Sequence, residues 1–171
     1  MIQEFELSKV HKSGAVFDIK KLNWINAQYM KKLSPSEFKH KVGILEIPDV
    51  AVPLITERLE KMSDVQNFDY FWKEPVYDKG LLVWKNSSLE DVKNSLEETR
   101  KILEQTKDNA NIRSELDELS KKIGNRGLAC WPLRVALTGK EKSPDPVDVL
   151  QVLGRDDTLK RIDIAINKLK V

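Results

Sequence analysis

The amino-acid sequence predicts an all-α protein, and three observations support this fold class. Apolar residues recur every three or four positions through most of the chain, which is the period of a helix with one buried face. Serine, aspartate or asparagine precedes many of these segments and glycine follows several of them, as is typical of helix ends. The one run that suggests a strand, residues 81–84, is too short to build a sheet.

The first two predicted helices follow residues that can cap them. Asp18 can cap a helix whose apolar stripe is Leu22, Ile25, Tyr29 and Leu33. A second, short helix is predicted after Ser34, because Ser34, Pro35 and Glu37 together form a capping box with proline in the first helical position.

A third helix is predicted over residues 52–62, where Pro53 falls in the first turn and is tolerated there. Arg58 is expected near the C-terminal end of this helix, and Ser63 is expected to cap the next short helix. An aromatic cluster then leads to Pro75 and Gly80. We predict two packed helical subdomains that meet there, with bounds at residues 1–80 and 81–171.

The second subdomain is predicted to contain five helices. The residues that mark them are Ser88 before the longest helix, Asn111 and Gly124 around the next, Gly139 after the third, Gly154 after the fourth, and residues 158–169 for the last. The third of these contains one arginine in an apolar run, W-P-L-R-V-A-L-T-G at residues 131–139. Leu133 and Leu137 share a face there, so Arg134 is expected to point away from the core toward solvent or a partner. An ordinary amphipathic helix explains this pattern equally well.

Composition and charge exclude several classes of protein. No apolar run approaches the roughly 18 residues of a membrane span, and the charged N-terminus does not lead into a signal peptide, so we expect a cytoplasmic protein without membrane contact. Cys130 is the only cysteine, so an internal disulfide is excluded, and we expect its side chain to be buried. Together with His11 and His40 it would make a poor zinc site. We therefore expect no metal.

Charge is distributed unevenly although the net charge is only +2. Residues 1–43 carry eight lysines and four acidic residues, residues 44–124 twelve basic and seventeen acidic, and residues 125–171 nine basic and six acidic. Basic ends around an acidic middle would suit a partner that touches two separated surfaces. Such unevenness is also common in charged helical proteins.

Four spaced motifs together resemble a known family. Residues 13–29 are similar to S-G-A-V-F-D-x-x-K-L-x-W-x-N-G-x-Y, with Ala27 where glycine is usual, and residues 74–78 read E-P-V-Y-D. Residues 132–139 read P-L-R-x-A-L-T-G, and residues 150–166 contain L-x-x-L-G followed by L-x-R-I-x-x-A. In this order the motifs resemble the C-terminal anticodon-binding region of bacterial glutamyl-tRNA synthetases.

The resemblance implies a helical cage that grips the anticodon stem-loop of tRNA-Glu. It implies that a catalytic domain of Rossmann type, absent from this chain, would precede the region in the same longer protein and receive the tRNA acceptor end. ATP and Mg²⁺ would serve the full-length enzyme, and this chain alone is expected to need no cofactor and to be a monomer.

The resemblance also assigns roles to individual residues. Arg134 matches the anticodon-reading arginine and would contact the first anticodon base, while Ser143 and Pro144 match the loop that packs around the middle base. Arg58 matches the position that reads the third base, where arginine is typical of enzymes restricted to tRNA-Glu. Arg126, before Gly127, is a weaker candidate, for a phosphate contact.

Alternatives remain at several of these positions. Arg58 would equally form a surface salt bridge near Glu57. Asp145 and Pro146 stand where the family usually has glycine and an apolar residue, and an aspartate beside RNA is unfavourable unless it accepts from a base amino group. A protein–protein interaction module would explain the charge pattern, although it would not explain the order of the motifs.

Catalytic chemistry is not predicted in this chain. It has no Gly-rich phosphate loop and no Cys-His-Asp set, so a stand-alone enzyme is disfavoured and no residue is predicted to be catalytic. The run K-M-S-D at residues 61–64 is similar to the K-M-S-K-S loop of class I aminoacyl-tRNA synthetases, but Asp64 replaces the second lysine and no H-I-G-H motif accompanies it. We interpret it as a helix end with Met62 in the core.

Overall fold

The computed structural model describes residues 16–106 and 108–170, and in these ranges it contains helices and no strand. The all-α prediction is thereby confirmed. The α-helices are α1 (Ile19–Met30), α2 (Pro35–Val42), α3 (Val52–Thr56), α4 (Leu89–Gln105), α5 (Ile112–Ile123), α6 (Arg126–Thr138), α7 (Pro146–Leu153) and α8 (Arg155–Leu169). Short 3-10 helices at Asp49–Ala51, Met62–Phe71, Lys79–Leu82 and Asn109–Asn111 join them. None of the described helices is long and apolar enough to span a bilayer.

The predicted helix starts at Asp18, Ser34 and Ser88 are confirmed by their hydrogen bonds. The Asp18 carboxylate accepts from the backbone N–H groups of Lys20 and Lys21 at 2.9 and 3.2 Å. Ser34 and Ser88 each form a reciprocal capping box with the acidic residue three positions later. These caps satisfy amide groups that the first turn of a helix leaves without a partner.

The predicted helix over residues 52–62 is wrong in its length, because α3 ends at Thr56 and Arg58 lies beyond it. The segment that follows is held by α1. The Nδ2 of Asn26 donates to the Glu60 carbonyl at 2.8 Å, and the Nδ2 of Asn23 donates to the Glu60 carboxylate at 3.1 Å. These contacts fix an irregular backbone in place of the last helical turns.

Three predicted details of individual residues differ in the structure. Ser63 is not a cap, because the 3-10 helix begins at Met62, which is therefore at a helix start and is only partly buried. Asn111 occupies the N-cap position of α5, but its side chain makes no capping hydrogen bond. Cys130 is half-buried rather than buried. Residues 81–84, in contrast, form no strand, in line with the all-α prediction, and Leu81 and Leu82 belong to a 3-10 helix.

The apolar stripe of α1 is largely exposed. Leu22 is 48% exposed, Tyr29 66% and the neighbouring Trp24 63%, whereas Met30 is the one fully buried residue of the helix. Helix α1 is thus attached by Ala27 and Met30 at the core and by the hydrogen bonds of Asn23 and Asn26 with Glu60.

Helix α6 lies at the centre of the packing. It contacts α4, α5, α7 and α8, and also the 3-10 helices Met62–Phe71 and Lys79–Leu82. Its side chains at Leu133, Val135, Ala136 and Leu137 are at most 1% exposed. A helix surrounded in this way is a rigid support for any side chain it carries.

Arg161 and Trp131 are among the residues that join the segments before α4 to this bundle. Arg161 of α8 is 5% exposed, and its Nη1 donates to the carbonyls of Tyr70 at 2.9 Å and Leu137 at 2.6 Å. The Nε1 of Trp131 donates to the Leu81 carbonyl at 2.8 Å. The division into subdomains at residue 80 stays a prediction.

Candidate nucleic-acid interface

Arg134 is held by the loop that follows its own helix. Its Nη1 donates to the Ser143 carbonyl at 2.7 Å, to the Ser143 hydroxyl at 2.8 Å and to the Pro144 carbonyl at 3.0 Å. The structure thus brings together Arg134, Ser143 and Pro144. Arg134 is half-buried rather than extended into solvent. Because all three hydrogen bonds use Nη1, the Nε and Nη2 edge makes no hydrogen bond to the described residues.

The loop is shaped by polar contacts at both of its ends. At the start, Gly139 has φ of +65°, a conformation that favours glycine, and Thr138 accepts from the N–H of Lys140 at 3.1 Å. At the end, Asp145 caps α7 by accepting from the N–H of Val147 at 2.9 Å. The loop therefore has fixed entry and exit points.

Asp145 is also neutralised by a cation. Arg113 of α5 lies 3.3 Å from the Asp145 carboxylate through Nη1 and 2.9 Å from Asp148 through Nη2. Pro146 occupies the first position of α7, where its missing N–H has no helical partner to lose. The departure from the family pattern at Asp145 and Pro146 is thus a helix start, with the carboxylate engaged in capping and ion pairing.

Arg58 lies at the turn after α3, and its side chain is 38% exposed. Its Nη1 donates to the Leu54 carbonyl at 3.2 Å and lies 3.4 Å from the Glu57 carboxylate. The ion pair with Glu57 is exposed and long, so it contributes little to stability. As with Arg134, the Nε and Nη2 edge makes no hydrogen bond to the described part of the chain.

Both arginines act electrostatically on Tyr70. Burial raises the pKa of the Tyr70 hydroxyl, while the positive charges of Arg58 and Arg134 act on it in the opposite direction. The charges of both guanidinium groups thus act on the same phenol, although 76 residues separate the two arginines in the sequence. The Tyr70 ring is fixed by Phe71, whose centroid is 4.7 Å away, and the buried hydroxyl has no hydrogen-bond partner among the described residues.

Arg126 is not brought into this group. It is the first residue of α6, eight residues before Arg134, which corresponds to roughly 12 Å along the helix. Its Nη2 lies 3.9 Å from Asp117, and its side chain is 77% exposed. A phosphate contact at Arg126 would thus be separate from the Arg134 loop.

Sequence reasoning missed three residues that shape the site. Tyr70 was expected only as part of an aromatic cluster, and Arg113 was not singled out. Lys140, at the start of the loop, lies 3.5 Å from Asp69 and ties the loop to the 3-10 helix Met62–Phe71. Each of these contacts joins segments that are far apart in the chain, so no local pattern identifies them.

The arrangement suits recognition of a planar polar group. A guanidinium edge with paired N–H donors matches the acceptor pairs on base edges, and a fixed loop beside it limits which base can approach. In the ranges 16–106 and 108–170, no group of three or more His, Cys, Asp or Glu side chains is placed to hold a metal ion. The site thus provides cationic hydrogen-bond donors for binding.

Comparison with known proteins agrees with this geometry. A family model described as an anticodon binding domain matches residues 14–166. The glutamate–tRNA ligase of Clostridium tetani is 33% identical over 187 residues, which cover 99% of this chain and 38% of that protein. The glutamate–tRNA ligase of Clostridium acetobutylicum is 33% identical over 189 residues, with the same coverage. The chain thus spans 38% of the length of these relatives.

Solved structures are similar in the same way. A glutamate tRNA ligase from Elizabethkingia meningosepticum, in complex with its amino acid, superposes with a TM-score of 0.76 at 25% identity over 98% of this chain and 36% of that one. Glutamate-tRNA synthetase from Elizabethkingia anophelis gives a TM-score of 0.71 at 26% identity over 97% and 35%. The chain therefore belongs to the anticodon binding domain family, and along nearly its whole length it is similar to part of the glutamate–tRNA ligases.

Proposed function

We propose that this chain recognises the anticodon of tRNA-Glu as part of a glutamate–tRNA ligase. The observation that carries the proposal is Arg134, whose guanidinium is fixed by Ser143 and Pro144 through Nη1 while its Nε and Nη2 donate to none of the described residues. In the proposal this Nε and Nη2 edge contacts the first anticodon base, and the loop at Ser143 and Pro144 packs around the middle base.

Arg58 reads the third anticodon base in this proposal. Support comes from its partly exposed side chain, whose Nε and Nη2 donate to none of the described residues. Single-stranded bases are read through hydrogen bonds on their edges, while Lys and Arg position the phosphate backbone. Arg126, at the other end of α6, would act only as such a backbone contact.

The remaining parts of the proposal concern the longer protein. A catalytic domain in the same protein would receive the tRNA acceptor end and would bind ATP and Mg²⁺. The whole protein would be a monomer and would act in the cytoplasm. The 171-residue chain alone is then expected to form no glutamyl-tRNA when supplied with tRNA, ATP, Mg²⁺ and glutamate. Formation of glutamyl-tRNA by the purified chain would contradict this.

Binding assays with tRNA-Glu and tRNA-Gln test the role of Arg58. Losing a well-paired base contact should cost on the order of 1–3 kcal/mol and relax discrimination at that base. Arg58→Gln should therefore narrow the affinity gap between tRNA-Glu and tRNA-Gln, which differ at the third anticodon base. Arg134→Ala should weaken both. Equal weakening of every tRNA by Arg58→Gln would show that Arg58 contacts phosphate alone.

A matched control is available on α8. Arg155→Gln removes a half-buried arginine whose Nη2 donates to Asn109 at 2.9 Å and not to the loop after α6, and it should leave tRNA binding unchanged. Repeating the titrations at two salt concentrations separates the proposal from a protein–protein interaction module, since RNA binding weakens steeply with salt. Equal affinity for tRNA-Glu and an unrelated tRNA would contradict anticodon recognition.

A further inference from the structure

Two arginines from neighbouring helices hold the loop between α6 and α7. Arg134 of α6 binds its middle part, where two carbonyls and a hydroxyl accept from Nη1. Arg113 of α5 binds its end, with Nη1 3.3 Å from the Asp145 carboxylate and Nη2 2.9 Å from that of Asp148. The end of the loop therefore lies between two guanidinium groups that come from different helices.

The two sets of contacts meet at one peptide group. The Pro144 carbonyl, which accepts from Arg134 at 3.0 Å, belongs to the same planar peptide group as the nitrogen of Asp145. The residue whose side chain Arg113 holds is thus joined directly to the carbonyl that Arg134 holds. A backbone shift at Asp145 would therefore move the Pro144 carbonyl relative to Arg134.

Arg113 has a firm support for this contact. It follows Ile112, which is 0% exposed, in the first turn of α5, so its backbone is anchored at the core. Its two partners are the N-cap and the third residue of α7, and the Asp145 carboxylate also accepts from the N–H of Val147 at 2.9 Å. Because a guanidinium is planar and its donors point in fixed directions, bridging two carboxylates fixes their orientation.

Apolar packing holds the loop end against the bundle but does not orient it. Pro144, Pro146 and Val147 are buried, so α7 should stay packed without Arg113. Burial of apolar surface is non-directional, whereas hydrogen-bonded ion pairs have a preferred geometry. Arg113 thus contributes to the orientation of the loop more than to its attachment.

We propose that Arg113 is a positioning residue for the anticodon site. Acting through Asp145, it fixes the loop at Ser143 and Pro144 and so increases discrimination at the middle anticodon base. The inference rests on the proposed function, in which that loop packs around the middle base. Arg113 acts without touching RNA, since both of its terminal nitrogens are engaged by carboxylates. Its side chain is half-exposed, so its loss should reduce the discrimination about two- to fivefold.

Titration of the full chain with tRNA-Glu, and with tRNA-Glu substituted at the middle anticodon base, tests the proposal. The readout is the ratio of the two dissociation constants, because a changed charge near the phosphate backbone affects both tRNAs alike. Arg113→Gln and Asp145→Asn should each lower this ratio about two- to fivefold, and the double variant should lower it no further. Asparagine is also a good N-cap residue, so Asp145→Asn removes the ion pair and retains the cap.

Arg100→Gln is the matched control. Arg100 also bridges two carboxylates, that of Asp163 on α8 at 2.7 Å and that of Glu104 on its own helix at 2.8 Å. The control removes the same charge and should leave the ratio unchanged. Three results would overturn the proposal: an unchanged ratio in either Arg113→Gln or Asp145→Asn, an equal fall in the control, or effects that add in the double variant, as expected if each side chain contacted RNA itself.

Hydrogen exchange without RNA distinguishes failure of this inference from failure of the proposed function. The Val147 amide donates to the Asp145 carboxylate, so Arg113→Gln should speed its exchange about two- to fivefold and Arg100→Gln should not. Unchanged exchange in Arg113→Gln would overturn the positioning role, whatever the parent chain binds. Faster exchange together with a parent that does not discriminate between the two tRNAs would support the positioning of the loop and contradict anticodon recognition instead.

Discussion

Replacing Arg161 with methionine should destabilise the protein more than any surface change on α8. Arg161 is 5% exposed and connects the carbonyl of Tyr70 with that of Leu137. Methionine fills much of the same space, so the main loss is electrostatic. The change leaves the two carbonyls buried without their donor and Asp157 without its partner.

The size of the effect follows from these three losses. Removing one partner of a buried ion pair costs about 3–5 kcal/mol. Asp157 is 36% exposed on its side chain and can be hydrated, which places the expected loss near the lower end, about 3 kcal/mol. For a chain of 171 residues this corresponds to a fall in melting temperature of roughly 10 °C.

Urea denaturation followed by circular dichroism measures the free energy of unfolding directly. The matched control is Arg155→Met on the same helix, which should change it by no more than about 0.5 kcal/mol because that side chain is near the surface. Asp157→Asn should give an intermediate loss, since the carbonyl contacts of Arg161 remain. If Arg161→Met lowers the free energy of unfolding no more than the Arg155→Met control does, the reasoning that Arg161 joins the two parts of the fold is refuted.

Three further predictions concern other sites. Gly127→Ala should destabilise the protein by about 1–3 kcal/mol in thermal denaturation, because an added Cβ would lie 2.2 Å from the Trp84 ring; an unchanged melting temperature would mean that Trp84 moves freely. Tyr70→Phe should keep or raise the melting temperature, because the hydroxyl it removes is buried and has no partner in residues 16–106 and 108–170; a clear loss would reveal a hydrogen bond at that hydroxyl. The Ser88 hydrogen bonds hold the pKa of Asp91 below its ordinary value of 3.8. Asp91 therefore stabilises the fold above that pH and loses this contribution as the pH falls. Asp91→Asn should make the free energy of unfolding depend less on pH on the acid side. The same pH dependence in the variant and the parent would count against the cap.

Helix existence and type could be read from the sequence because caps and apolar spacing are local. The capping box at Ser34 and the glycine end at Gly139 were of this kind. The end of α3 could not be predicted, because it depends on Asn26 reaching the Glu60 carbonyl from 34 residues away. Periodicity continues past Thr56 in the sequence, but those tertiary hydrogen bonds override it.

The same distinction holds for the candidate site. The resemblance placed Arg134 with Ser143 and Pro144, and their contacts are short. It could not show why Asp145 is tolerated next to them. That answer lies in Arg113, 32 residues earlier in the chain, which pairs with Asp145 across the gap between α5 and the loop.

The fixed guanidinium of Arg134 has a consequence for the thermodynamics of binding. A mobile arginine loses up to about 2 kcal/mol of side-chain entropy when a ligand immobilises it. Three hydrogen bonds from Nη1 already impose that order in the free protein, so the loss belongs to folding and is absent from the binding step. Ser143→Ala removes one of these bonds and leaves the Nε and Nη2 donors of Arg134 unchanged. In calorimetry the variant should therefore bind RNA with a less favourable entropy, while Nε and Nη2 contact the same groups.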